Sequence, residues 1–125
     1  MIIGIGIDLV EIERFRKVVE RLKDRFLFKV FTQEEQQFCL SHRDPIPHFA
    51  ARFAAKEALF KALGTGWAQG VTWLDVEVRR ETPNAPSMLI RGHAGQLCSA
   101  KGSQKIHLSL SHSDQYAIAL VILEG

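Results

Sequence analysis

Asp8 closes the apolar run Ile2-Ile3-Gly4-Ile5-Gly6-Ile7, and Glu57 and Lys61 stand one helical turn apart in an alanine-rich stretch further along the chain. On position alone, an aspartate at a strand end is more often a turn or cap residue. A glutamate–lysine pair at i,i+4 is more often a surface contact worth about 0.2–0.5 kcal/mol. Two features favour chemistry. Gly4 and Gly6 add no bulk beside Asp8, so another backbone or a ligand can come close. Phe49, Phe53 and Phe60 project together beside a strip holding Ala50, Ala54, Glu57 and Lys61, and alanine next to phenylalanine predicts a covered surface. If Asp8 and Glu57 meet, two hard carboxylates without histidine or thiolate partners suit Mg²⁺, which keeps waters and takes further ligands from phosphate oxygens. Lys61 would neutralise phosphate charge at the same place. Gly64 and Gly66 would let Thr65 and the backbone approach that ligand. Ser111-His112-Ser113 sets an imidazole and hydroxyls side by side, a combination suited to donating to phosphate.

These side chains need elements to position them. Residues 2–8 read as a buried strand. From residue 11 to about 30 the period becomes helical. Ile12, Phe15, Val19, Leu22 and Phe26 share one face, Arg14, Lys17, Arg21 and Arg25 an adjoining stripe, and Glu13, Glu20 and Asp24 a third. Thr32 followed by Glu35 is a capping box, which starts a second helix that must stop before Asp44-Pro45-Ile46-Pro47. A third helix spans about 48–63 and closes on Gly64. Residues 71–80 alternate as a strand, turn through 82–86 and return over 87–91. A short helix follows at 93–101, then a hairpin over 105–110 and 116–123 that turns through 111–114. The order strand, three helices, hairpin, helix, hairpin predicts an α+β fold with a small, mainly antiparallel sheet packed with helices.

The chain of 125 residues, 46% hydrophobic and 24% charged, has the balance of one domain covering 1–125. A chain of that size leaves a large ligand to share walls with the core or with a neighbouring subunit, so self-association is expected. The net charge of +2 implies no general nucleic-acid surface. No apolar run reaches the roughly 18 residues of a membrane span, and no leader precedes the first strand. Cys39 and Cys98 lack CxxC spacing and read as reduced thiols of a cytoplasmic protein. His42, His48, His93, His107 and His112 show no metal spacing, and Gly4-x-Gly6 is neither a Walker loop nor a dinucleotide fingerprint.

Three blocks carry a family resemblance: Gly4 to Ile12, then Phe49 to Ala58 with Lys61-Ala62 and Gly64-Thr65-Gly66, then Leu108 to Ser113. In order and almost end to end, they resemble holo-acyl-carrier-protein synthase, the short single-domain branch of the phosphopantetheinyl transferases. The resemblance implies the 4′-phosphopantetheinyl transferase fold, a homotrimer with shared active sites, and transfer of phosphopantetheine from coenzyme A to a serine of apo acyl carrier protein, in support of fatty acid biosynthesis. It implies that Asp8 and Glu57 ligate Mg²⁺, that Lys61 neutralises the transferring phosphate, and that Arg52, Gly64, Thr65, Pro86, His112 and Ser113 line the coenzyme A site. Family members often carry threonine where this chain has Ser113. The basic stripe acquires a partner, since acyl carrier proteins are acidic; Arg14, Arg21 and Arg25, with Lys29 one turn on, resemble the docking face. Glu57, a metal-bound water and Glu35 are all candidates for moving the serine proton. The alternatives are a magnesium-dependent hydrolase of nucleotide pyrophosphates and a non-catalytic module that binds coenzyme A or a helical partner.

Overall fold

A computed structural model describes residues 1–65, 70–80 and 85–125. Residues 82–84 of the turn expected over 82–86, and Gly66, lie outside the described residues. The first strand, β1 (Ile2–Glu11), runs three residues longer than expected and feeds directly into α1 (Ile12–Leu22). The single helix expected over 11–30 is two. Lys23 takes φ 52°, ends α1 with its N–H on the Val19 carbonyl at 2.7 Å, and α2 (Asp24–Val30) starts in a new direction. The gain is aromatic packing: Phe26, carried by α2, meets Phe15 of α1 at 5.7 Å and Phe53 at 6.1 Å. The predicted capping box is present, Thr32 and Glu35 exchanging bonds to open α3 (Gln33–Leu40). Helix α4 (Ile46–Leu63) begins two residues earlier than expected because Pro47 falls within its first turn, where a missing N–H costs nothing.

After α4, a 3₁₀ turn (Trp73–Asp75) replaces the first half of the expected strand, and the hairpin is β2 (Val76–Arg80) with β3 (Pro86–Ile90). Helix α5 (Gly92–Lys101) leads to β4 (Lys105–His112) and β5 (Tyr116–Glu124). The strands form two antiparallel sheets, β1-β5-β4 and β2-β3. Helix α4 crosses the inner face of the larger sheet, where Ala50, Ala54, Ala58 and Ala62 and the β5 residues Ala117, Ala119, Val121 and Leu123 are buried. The alanine-rich strip is therefore covered by the chain's own sheet. The reading of β1 as a buried strand is corrected: its inner face carries glycines, while Ile5, Ile7 and Leu9 on the outer face are 62%, 56% and 59% exposed.

Small residues on both sides let α4 and β1 approach closely. A methyl added at Gly4 would lie 2.5 Å from the Ala62 carbonyl oxygen, and one at Gly6 would overlap the Ala58 carbonyl. A second tie is polar. The fully buried Lys56 ammonium donates to Val30 O at 2.6 Å, Glu35 Oε1 at 2.7 Å and Trp73 O at 3.2 Å, and Glu35 Oε2 accepts the Val78 N–H at 2.8 Å. One ion pair thus joins α2, α3, α4, the 3₁₀ turn and β2.

Gly6→Ala must push α4 off β1, an overpacking cost of about 1–3 kcal/mol. Gly64→Ala at φ 75° meets open space and costs only backbone strain, about 1 kcal/mol. Urea unfolding of the two variants should order them this way; a smaller loss for Gly6→Ala contradicts the packing account.

Candidate active site

Strand alternation sends Asp8 to the same face as Gly4 and Gly6, toward α4. There Lys61 Nζ donates to Asp8 Oδ1 at 2.9 Å and to the Ile7 carbonyl at 3.0 Å. The Asp8 side chain is only 16% exposed in this pair, the Lys61 side chain 54%. Glu57, one turn earlier on α4, is half-buried, and its carboxyl is pushed above the ordinary glutamate range. Burial is the first cause and the Asp8 charge the second, with Lys61 pulling the other way. Asp8 thus senses both partners on α4, and the three predicted side chains converge at one place.

Beside them opens a cavity of about 680 Å³, lined by Glu57, Lys29, Phe26, Phe53, Val71 and Trp73. A carboxyl on the wall of a largely apolar cleft suits a site that takes a long, partly apolar substrate. No group of three or more metal-binding side chains occurs among the described residues. Two carboxylates and no soft ligand fit a cation that completes its shell with phosphate and water, as Mg²⁺ does.

The other predicted residues fall into three neighbourhoods. Gly64 caps α4 in the left-handed conformation, and Thr65, half-buried, donates its N–H to Phe60 O at 3.2 Å, one turn beyond Lys61. Arg52 lies deep between α3, α4 and β2, with His112 at the end of β4 in the same cavity wall. Ser113 Oγ accepts the N–H groups of Gln115 at 3.3 Å and Tyr116 at 3.2 Å, which leaves its own hydrogen to donate. Pro86, half-buried, opens β3 opposite Arg80. Arg14 edges an apolar groove with Phe15, Val18, Phe26 and Phe53. Arg21 is exposed on α1, and Arg25 and Lys29 are exposed on α2, so the break at Lys23 divides the basic stripe between two helices.

Glu35 cannot move a substrate proton. It is 1% exposed, and both its oxygens are taken by Lys56, Thr32 and Val78. Sequence reasoning missed the Ile7 carbonyl, which no side-chain pattern marks. It also missed His42, His48 and Arg80, which converge on Arg52 from three segments.

Residues 4–121 match the model of the 4′-phosphopantetheinyl transferase superfamily. The chain belongs to that superfamily. A holo-[acyl-carrier-protein] synthase of Koribacter versatilis is 49% identical over 124 residues, covering 99% of both chains. The crystal structure of holo-[acyl-carrier-protein] synthase from Neisseria meningitidis superposes with a TM-score of 0.90 at 28% identity over all of both chains. The Helicobacter pylori synthase in complex with coenzyme A superposes with a TM-score of 0.83 at 32% identity, covering 96% of this chain and 99% of that one. The expected α+β fold is therefore the fold of this superfamily.

The raised Glu57 carboxyl has a sign that can be measured. A carboxyl that holds its proton more firmly when folded stabilises the fold below the unfolded glutamate value, and that contribution is lost as pH rises through the folded value. Glu57→Gln removes the penalty. Without divalent metal, the variant should melt higher than wild type at pH 7 and no higher at pH 4; equal shifts at both pH values contradict the assignment.

Proposed function

We propose that this chain transfers the 4′-phosphopantetheine group of coenzyme A to a serine of apo acyl carrier protein, releasing adenosine 3′,5′-bisphosphate. The observation that carries the reading is the contact of Lys61 with Asp8 beside Glu57, which itself lines a largely apolar cleft, in a chain whose relatives are named holo-[acyl-carrier-protein] synthases. The seryl oxygen attacks the pantetheine-side phosphorus, and the bond from that phosphorus to the oxygen of the leaving bisphosphate breaks. Lys61 would meet negative charge on the pyrophosphate oxygens, and charge stabilisation is most of what a protein contributes to such transfers. Glu57, or a water beside it, would take the serine proton, since Glu35 is buried and both its oxygens are engaged. Asp8 and Glu57 would hold Mg²⁺, which supplies further neutralisation of the pyrophosphate when bound.

Coenzyme A would be lined by Arg52, Gly64, Thr65, Pro86, His112 and Ser113. Its pantetheine arm suits the channel walled by Phe26, Phe53, Val71 and Trp73, since the arm is long and only weakly polar. Arg14, Arg21, Arg25 and Lys29 would receive the acidic carrier protein, with the groove beside Arg14 offering apolar contact. The chain would act as a single domain in the cytoplasm; among the described residues no helix is long and apolar enough to cross a membrane. A homotrimer would cover Ile5, Ile7, Leu9, Tyr116 and Ile118, an apolar strip on the outer face of the larger sheet that is costly to leave in water.

Incubation with apo carrier protein, coenzyme A and Mg²⁺ should add the mass of one phosphopantetheine arm to the carrier. Coenzyme A cleavage at the same rate without carrier protein would indicate a pyrophosphate hydrolase instead. Reversing Arg14 and Arg21 to glutamate should raise the KM for carrier protein about tenfold or more at low salt, on the scale of losing two charge pairs, and leave coenzyme A binding intact. An unchanged KM refutes the docking role.

A further inference from the structure

Helix α2 turns Phe26, Leu27 and Val30 inward and leaves Arg25, Phe28 and Lys29 on its outer face, at the i, i+3 and i+4 spacing that sets side chains next to one another. Phe28, an aromatic ring between two cations, is 64% exposed and stands outside the hydrophobic core. It walls a groove of about 630 Å³ together with Leu40 at the end of α3 and Leu74 in the 3₁₀ turn, both exposed as well. Three large apolar side chains from three segments, left in water side by side, mark a contact surface.

The position of the groove narrows the choice of occupant. Leu74 also lines the cleft that holds Glu57 and Lys29, and that cleft shares Phe26 and Phe53 with the groove edged by Arg14. The three depressions therefore follow one another, with the Glu57 cleft in the middle. A macromolecule whose serine must reach Glu57 and Lys61 covers the rim of the middle cleft, so its body rests on the flanks. One flank offers Phe15 and Val18 beside Arg14; the other offers Phe28, Leu40 and Leu74.

Charge points the same way. Arg25 and Lys29 flank Phe28, Arg91 lines the groove, and no carboxylate lines it among the described residues. Arg91 is held only loosely, 3.8 Å from Glu77, whose oxygen is already taken by Arg79 at 2.7 Å. An apolar groove rimmed by cations suits a partner whose surface is acidic around an apolar side chain. A second copy of the chain has another place to go, the apolar strip of Ile5, Ile7 and Leu9 on the outer face of the larger sheet.

We propose that Phe28, Leu40 and Leu74 form a second seat for the carrier protein, which places an apolar side chain in the groove between α2, α3 and the 3₁₀ turn while its carboxylates meet Arg25 and Lys29. The inference rests on the transferase reading and adds to it an apolar determinant of carrier recognition. The carrier protein then straddles α2, with its serine held over the Glu57 cleft from both sides.

The test is steady-state transfer to apo carrier protein by the full chain, followed by mass spectrometry at low and at high salt. Phe28→Ser and Leu40→Ser should each raise the KM for carrier protein about fivefold or more, with kcat and the KM for coenzyme A unchanged. Phe28→Leu, which keeps an apolar side chain, should stay within about twofold of wild type. The double serine variant should lose less than the product of the two single losses, because both side chains serve one groove. The ratio to wild type should persist at high salt, where contacts between charges are screened. Both side chains are exposed, so both variants should fold; if one does not, the other decides. An unchanged KM for carrier protein overturns the proposal, and so does a KM for coenzyme A that rises in parallel. Loss of self-association with the carrier KM unchanged would give the groove to a second copy and overturn it too. Failure of the wild type to modify the carrier protein at all overturns the transferase reading instead.

Discussion

Helix α4 lies so close to β1 that one methyl at Gly4 or Gly6 would strike its carbonyl oxygens, and this contact sets Asp8, Glu57 and Lys61 together. The strand contributes an acid and a backbone carbonyl; the helix contributes an acid and a base one turn apart. Neither element owns the site. A helix held off by ordinary side chains at positions 4 and 6 would carry Lys61 beyond hydrogen-bond reach of Asp8. The alanines facing β5 serve the same end, because a helix tilted away by bulk at one strand would rise from its neighbour as well.

Lys56 and Lys61 sit on one helix and illustrate how environment divides labour between identical groups. Lys61, on the open side, touches a strand carboxylate and stays accessible to a substrate. Lys56, on the closed side, is buried and ties α4 to four other segments through Glu35 and two backbone carbonyls. Burial alone would favour its neutral form, and the Glu35 carboxylate opposes that. Such a pair holds geometry more than it adds stability; removing one partner costs about 3–5 kcal/mol because a charge is left behind. Its service to the site is indirect, fixing the α2–α3 layer and the Trp73 wall from which the channel beside Glu57 is built.

Much of this was legible from residue types. The capping box at Thr32 and Glu35, the glycine stop at Gly64 and the last hairpin follow from local chemistry that tertiary contacts do not override, and the structure has all three. Glycine spacing and helical phase made a meeting of Asp8 with Glu57 and Lys61 possible, and it was the resemblance carried by the three sequence blocks that singled those residues out. The break at Lys23 was not, because a non-glycine residue at φ 52° has no sequence mark and is set by the aromatic packing of Phe26. The exposed face of β1 was hidden for the opposite reason: isoleucines spaced two apart read as core whether the cover is the same chain or another. Glu35 looked available for proton transfer because its capping role was visible and its ion pair with Lys56, 21 residues away, was not. The histidine cluster is likewise a product of the fold, drawn from α4, the segment before it and the end of β4.

The most direct test of the convergence is a count of bound metal. Mn²⁺, titrated into the protein with coenzyme A present and followed by electron paramagnetic resonance, should saturate at one ion per chain. Asp8→Asn and Glu57→Gln should each weaken that binding by at least about tenfold, the scale of losing one charged ligand. Wild-type stoichiometry and affinity in either variant would contradict a site built from both carboxylates.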